Sequence, residues 1–531
     1  MIKMAIILLL GLMLRIYGVN WDQGFHLHPD ERMLIMVADR IQFFKNLNPD
    51  FFNYGSLPIY LIKGISQLID LIFKTNLSNY QGMLITGRAL SIIFDLVTTC
   101  LIYKIGQLLF KKIKIALLSS LIYTVAFFPI QNSHFFVVDI FLNTFVTGLI
   151  YMLLDYLKYP STKKTVILGI IFAAMMATKF TAIIFLPIIL LVIILKSINS
   201  WKKITIHSLV FGFCILVFYF LFMPYAFIEN TRFISDIKAQ LAMNSNPYIF
   251  PYTLQYVGTI PYLYYLKNIF LWGLGPIISV LSIIGLWLMP KRKNILFFIF
   301  YLFYFLIIGR SAVKFMRYMI PLYPMFALLA GYGLYQLHKH YKLLSYVLIT
   351  GLLLWTFIFL NIYLVPHTRI AATDWIIKNI PKGSTLAVEH WDDRIPLYGG
   401  ENYNFEELTL YDQPDDENKW QILNKKLQKS DYIIIASNRL YVPLQRLSGC
   451  KKFKSCYPKT AEYYQKLFNN QLPFKKVAEF SVYPKLEIAW PSKLQRSGRN
   501  WKLEIRDDVA DESFTVYDHP KIMIFKNINA Y

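Results

Sequence analysis

Charge is scarce in this 531-residue sequence, where only 16% of positions are Asp, Glu, Lys or Arg. Soluble domains carry about 25%, so composition argues against a water-soluble enzyme of this length. Cysteine is scarcer still, with four in all, and none falls in a zinc-type pattern. Cys100 and Cys214 lie inside apolar segments and read as packing residues. Cys450 and Cys456 share a polar loop, where an oxidising compartment would let them pair. A glycine-rich phosphate loop, a Walker sequence, a nucleophile elbow and any internal repeat are also missing. The usual devices of nucleotide chemistry go with them. No small-residue cleavage site follows the apolar run Ala5 to Leu14, so that run is expected to stay as a first helix.

What the chain has instead is apolar mass: 56% hydrophobic and 17% aromatic residues. Apolar runs recur at 4–19, 87–110, 115–132, 137–157, 166–179, 181–196, 205–224, 269–289, 295–309, 317–337 and 343–364. Several are short for a span of about 20 residues. Between alternate runs lie Lys111-Lys112-Ile113-Lys114, Lys158 to Lys164, Lys196 to Lys203, Lys291-Arg292-Lys293 and His338-Lys339-His340. With eleven spans all five clusters face one side, which the positive-inside rule makes cytoplasmic. The net charge of +23 is therefore read as topology, with no nucleic-acid partner. The expected fold is a multi-spanning α-helical membrane protein of about eleven helices, N-terminus inside and C-terminus outside. The 20–86 loop, the 225–268 loop and everything after 365 then face outward.

From Leu57 to Lys74 the polar residues Lys63, Gln67, Asp70 and Lys74 form one stripe, which predicts a helix lying in the interface. Were it to cross, the count would become twelve and either the N-terminus or the basic loops would sit on the wrong side. The 225–268 loop, rich in Tyr, Asn and Pro, is expected to be an ordinary ordered loop, with a lid over a cavity as the alternative. After Pro366 charge becomes common. Strand-like Ser384–Val388 and Tyr432–Ala436 alternate with helix-like Ala371–Asn379 and Trp420–Gln428. This predicts a transmembrane domain over 1–365 and a soluble α/β domain over 366–531. The acidic stretch Glu401 to Glu417 reads as a solvated loop.

Two adjacent carboxylates, Asp30 and Glu31, follow the first apolar run. Each would cost roughly 2.5–3.5 kcal/mol or more at the bilayer centre. They must sit at a water interface or line a polar cavity. Pro29 disfavours helix at His28 and can open one near Asp30, where the acids gain from the backbone dipole. Simple capping is thus the bland alternative to chemistry. Asp139 opens the fourth span on the same outward side. Asp95, Asp155 and Arg310 lie near span ends or cavity walls without a specific role. His26, His28 and Asp30 alternate in a spacing that would suit a divalent metal held by an extended strand, with His134 as a further ligand. Solvent-facing histidines beside an interface are the commoner case, so no cofactor is required.

The chain resembles the glycosyltransferase C superfamily, and within it the bacterial relatives of protein O-mannosyltransferases and of the lipid A aminoarabinose transferase. The resemblance rests on Asp30-Glu31, on Gly87-Arg88-Ala89-Leu90-Ser91 and on Asp139. It continues through Ala177-Thr178-Lys179-Phe180-Thr181-Ala182 and Arg317-Tyr318-Met319-Ile320-Pro321-Leu322-Tyr323-Pro324. The closing Asp511-Glu512-Ser513-Phe514-Thr515-Val516-Tyr517-Asp518-His519-Pro520 is similar to the tail of bacterial members, with no chemistry attached. It implies an inverting transferase of the plasma membrane. A sugar would pass from a polyprenyl-phosphate donor to a hydroxyl of a protein, lipid or glycan acceptor on the outer face. Asp30 would be the base, Glu31 would orient the acceptor or a metal, and Asp139 would be the second acid. Arg88, Lys179, Lys314, Arg317 and Tyr318 would meet the lipid phosphate, against the alternative that the cations snorkel to headgroups. One departure stands out: the aminoarabinose transferase has Lys-Pro-Pro in its first outer loop, where this chain reads Tyr54-Gly55-Ser56-Leu57-Pro58, with no lysine. The rival function is a polytopic transporter or lipid flippase, whose ionisable groups would sit at mid-membrane.

Overall fold

All eleven apolar runs carry helix in the computed structural model, which describes residues 2–197, 200–488 and 501–529. Part of the cluster Lys196 to Lys203, and the side chains of Lys291-Arg292-Lys293, lie outside the described residues. The chain is mostly helical, and its apolar helices make it a multi-pass membrane protein. Among the described residues four helices are long and apolar enough to cross a bilayer alone, and counting each of two bent pairs as one span brings that number to six. Ile113–Thr124 and Phe127–Ser133 bend by 57°, and Leu263–Gly273 and Gly275–Leu288 by 118°. The sharper break has a local cause. Gly275 takes φ +78°, open to glycine, and Pro276 restarts the helix.

The chain divides into two compact units. One holds Met1–Asn20, His28–Ala242 and Ile260–Phe357; the other holds Trp21–Leu27, Met243–Thr259 and Ile358–Tyr531. The second unit thus includes Trp21–Leu27 and Met243–Thr259 along with the C-terminal part of the chain.

In the first unit, α1 (Ile2–Ile16), α2 (Pro29–Arg40), α3 (Leu57–Phe73), α4 (Tyr80–Phe110), α5 (Ile113–Thr124), α6 (Phe127–Ser133), α7 (Val138–Lys158) and α8 (Thr162–Met176) come in chain order. Leu34, Ile35, Ala38, Ile59, Ile62, Met83, Phe136 and Phe141 form a dry cluster that packs α2, α3, α4 and the start of α7 together. Their packing holds α2 against its neighbours. A second anchor lies deeper. Arg15 on α1 pairs with Asp95 on α4, both fully buried, and Tyr123 on α5 donates to the same carboxylate. Asn143 on α7 donates to the Tyr123 hydroxyl at 2.8 Å. Asp95, which the sequence left without a role, is a helix-joining residue. The helix expected from Leu57 to Lys74 is present as α3, with Leu71 and Phe73 exposed near its end. The 225–268 region contains the helix Asn230–Ser245, which the sequence read as loop.

The second unit contains β1 (Thr385–Glu389), β2 (Asn404–Leu408), β3 (Tyr432–Ile435), β4 (Phe474–Phe480), β5 (Lys485–Ile488), β6 (Trp501–Glu504) and β7 (Ile522–Asn527). Five form a mixed sheet in the order β2-β1-β3-β7-β4, parallel across β2, β1 and β3 and antiparallel at β7 and β4. β5 and β6 make a separate hairpin. Alternation sends Leu386, Val388, Ile434 and Ile524 to one face, with Thr368–Asn379. Ala387, Ile433, Ile435 and Phe525 go to the other, with Glu417–Lys429 and Pro458–Phe468. Both strand-like runs and both helix-like segments are present, while β2 lies inside the acidic stretch expected to be loop. Cys450 and Cys456 are joined as a disulfide.

Candidate active site

The turn before α2 places the first carboxylates. His28 is the N-cap and Pro29 the first helical residue; His28 Nδ1 accepts from the Glu31 amide at 3.4 Å. Asp30 and Glu31 therefore occupy the first turn, as the proline signalled, but point to different partners. Glu31 receives two bonds from Arg88 on α4, Nε at 2.9 Å and Nη2 at 2.7 Å, plus the Phe136 amide at 2.8 Å. Both side chains of the pair are fully buried. Arg88 also donates to the Val19 carbonyl. One carboxylate thus ties the starts of α2 and α7 to the N-terminal third of α4. Gly87 makes room for this, since a Cβ there would meet the Phe136 ring at 2.7 Å.

Asp30 faces the other way, onto Arg317. That guanidinium sits on the short 3-10 turn Met316–Leu322 and holds Asp30 Oδ2 at 2.6 Å and Asp139 Oδ2, from the first turn of α7, at 3.5 Å. Lys179, in the turn after α8, holds Asp139 Oδ1 at 2.7 Å and lies 4.3 Å from the centre of the Tyr318 ring. Two acids and two cations so form one alternating cluster. It is not evenly enclosed. The Asp30 side chain is 24% exposed, against 4% for Asp139 and 8% for Arg317.

Tyr54 joins this cluster, and sequence reasoning missed it. Its segment docks by backbone bonds, Gly55 N–H to the Thr178 carbonyl and Leu57 N–H to the Ala177 carbonyl, each 3.0 Å. Burial pushes the Tyr54 hydroxyl well above its ordinary pKa, and the Asp30 carboxylate adds to the shift. The Gly-Ser-Leu-Pro turn signature was the available clue, for it marks a tight approach.

Lys314 lies in the same loop as Arg317 but outside the cluster. It is 3% exposed, and its hydrogen bond among the described residues goes to the Ala312 carbonyl at 3.0 Å. Burial alone lowers its ammonium to about 8, with no carboxylate acting against it. Nearby in sequence, Leu322, Met325 and Phe326 line an apolar cavity of about 650 Å³ with Leu266, Phe270 and Phe298.

His26 belongs to the Trp21–Leu27 segment of the second unit, and His28 is engaged as an N-cap. Both ring nitrogens of His134 lie against backbone carbonyls, Ile130 at 2.8 Å and Tyr17 at 2.7 Å. Among the described residues no group of three or more His, Cys, Asp or Glu is placed to hold a metal ion.

Residues 77–226 match the family model described as dolichyl-phosphate-mannose-protein mannosyltransferase. That span contains Arg88, Asp139 and Lys179, and over it the chain is similar to the protein mannosyltransferases that this model describes. No curated protein matches the chain by sequence. Among solved structures, the Archaeoglobus fulgidus oligosaccharyltransferase in the apo form is similar with TM-score 0.49 and 12% identity, over 83% of this chain and 70% of that one. ArnT from Cupriavidus metallidurans bound to undecaprenyl phosphate gives 0.48 and 13%, over 83% and 94%. The S. cerevisiae Pmt1–Pmt2 complex bound to its sugar donor gives 0.33 and 17%, over 44% and 34%.

Proposed function

We propose that the chain is an inverting glycosyltransferase that moves a sugar from a polyprenyl-phosphate to an acceptor hydroxyl. The observation that carries this reading is the unequal pair of carboxylates on Arg317: Asp30 open, Asp139 enclosed. An open carboxylate beside cations is what the chemistry needs. The acceptor O–H gives its proton to Asp30 while its oxygen attacks the anomeric carbon from the face opposite the phosphate. The bond from that carbon to the phosphate oxygen breaks, and the polyprenyl phosphate leaves with the electron pair. Asp139, clamped by Lys179 and Arg317, holds those cations in place for the departing charge. Tyr318 supports Lys179 through its ring.

Glu31 and Arg88 act here as positioning residues, because their mutual bonds leave neither side chain facing an opening. Lys314 takes the phosphate role that the first outer loop lacks. A buried ammonium without a carboxylate is costly, and an incoming lipid phosphate would neutralise it. The apolar cavity lined by Phe270 and Met325 suits the prenyl chain. Five basic clusters on one side, and a disulfide that persists only where conditions oxidise, support a plasma-membrane enzyme of about eleven spans. Its site and its α/β unit would then face outward.

Purified protein supplied with a radiolabelled polyprenyl-phosphate sugar and a crude acceptor fraction should yield labelled, covalently joined product. Labelled lipid crossing a vesicle without any product would favour a flippase. Lys314→Gln is expected to raise the KM for donor about tenfold or more, the scale of a lost charge-assisted contact, with kcat little changed. A donor KM equal to that of the parent would remove Lys314 from the phosphate site.

A further inference from the structure

The β5–β6 hairpin carries a feature that sugar transfer does not use. Lys485 on β5, Lys502 on β6, Arg506 just beyond it and Lys521 before β7 line a cavity of about 510 Å³ in the second unit. Glu479 and Glu504 also line it, so four cations face two carboxylates. Each cation has an acidic neighbour: Lys521 with Glu479 at 3.0 Å, Lys502 and Arg506 with Glu504 at 2.6 and 3.8 Å, Lys485 with Glu487 at 3.0 Å. All these pairs are substantially exposed, and exposed pairs are weak. They yield readily to a better anion.

The position of the cavity indicates which anion. Its wall includes Val365 and Pro366, a few residues past the helix Lys342–Leu360, which belongs to one of the four long apolar candidates for a span. Asn361, the first residue after that helix, donates its side-chain amide to the Lys485 carbonyl. The cationic hairpin is therefore tied to the chain just past a helix long and apolar enough to cross a bilayer. Leu364, 64% exposed, lies between the tie and the cavity wall. Basic side chains near such a helix end attract anionic lipid, and the hydroxyls of Ser481 and Thr368 in the cavity lining add hydrogen-bond donors for phosphate oxygens.

We propose that this cavity binds the phosphate headgroup of an anionic phospholipid. The site is independent of the polyprenyl-phosphate donor and does not rest on Asp30 or Arg317.

The test uses full-length protein in nanodiscs of phosphatidylcholine alone or with added phosphatidylglycerol, read by amide hydrogen exchange. Phosphatidylglycerol should slow exchange over 479–485 and 502–506 while leaving β1 and β3 unchanged. Lys485→Gln/Lys502→Gln/Arg506→Gln/Lys521→Gln should abolish that protection. Arg506→Gln alone, at the most exposed of the four, should reduce it in a protein whose folding is not in question. Equal exchange in the two lipid compositions overturns the proposal without recourse to any variant. Protection by soluble glycerol phosphate in pure phosphatidylcholine discs, matching that by phosphatidylglycerol, would also overturn it and assign the cavity to a free phosphate compound.

Discussion

Glu31 follows Asp30 directly, yet successive helical residues point about 100° apart, and the two carboxylates meet unrelated partners. Asp30 is half of an open ion pair; Glu31 is sealed with Arg88 and the Phe136 amide. Breaking a buried pair from one side costs about 3–5 kcal/mol, since the other charge is stranded. Glu31→Gln should therefore lower the thermal midpoint of the detergent-solubilised protein sharply, with activity lost in step. Arg88→Met combined with Glu31→Leu should recover part of that midpoint. A Glu31→Gln protein that melts with the parent would contradict the positioning role. Asp30 and Asp139 stood out in the sequence as charge at span ends, and the resemblance singled out Lys179, Arg317 and Tyr318; the structure brings these together. The same resemblance grouped Arg88 with the phosphate ligands, for nothing local reveals that a guanidinium is satisfied by a carboxylate 57 positions away.

At the scale of elements, the loop before α3 decides whether Tyr54 reaches the cluster. A Cβ on Gly55 would lie 1.9 Å from the Ala177 carbonyl oxygen, so even alanine forces the two backbones apart. Gly55→Ala should cut kcat while leaving the melting of the rest of the protein near that of the parent, seen by comparing turnover with thermal midpoints. Unchanged turnover would show that the docking of this loop is dispensable. Long apolar helices were legible from composition, as was the start of α2 from Pro29. Two elements were not. Asn230–Ser245 is polar and largely exposed, so burial leaves no periodic trace. β2 is an edge strand with Glu406 and Glu407 in it, and Glu407 is matched by His390 and Arg394. Acidic residues in sequence suggest solvent; their partners come from the tertiary fold.

For the whole molecule, buried titrating groups in the second unit set a pH dependence. Burial raises Glu389 to about 8, so the folded state keeps a proton that the unfolded chain releases near 4.5. Burial opposes charge on His519, but the carboxylates of Asp518 and Asp507 outweigh it and raise the ring to about 10. Both contributions are lost as pH rises through the folded values. His367 behaves oppositely: burial, then Arg369, lowers it to about 3, and its contribution is lost as pH falls below 6.5. Above pH 6.5 the first two act together, so the melting midpoint should decline steadily towards pH 10. His519→Gln and Glu389→Gln should flatten that decline. A midpoint constant from pH 7 to 10 would contradict the assignment of these groups. His519 belongs to the closing motif that carried no chemistry in the sequence; its two aspartate partners give it a structural one.

The account stands on Asp30 as the acceptor's base, and the most direct measurement is sugar transfer by Asp30→Asn in the full-length protein. Loss of a general base costs about 10²–10⁴ in rate. Turnover should fall by that much while the purified variant still retains its polyprenyl-phosphate donor. Transfer at the parent's rate, with the donor bound, would show that the proton leaves by another route.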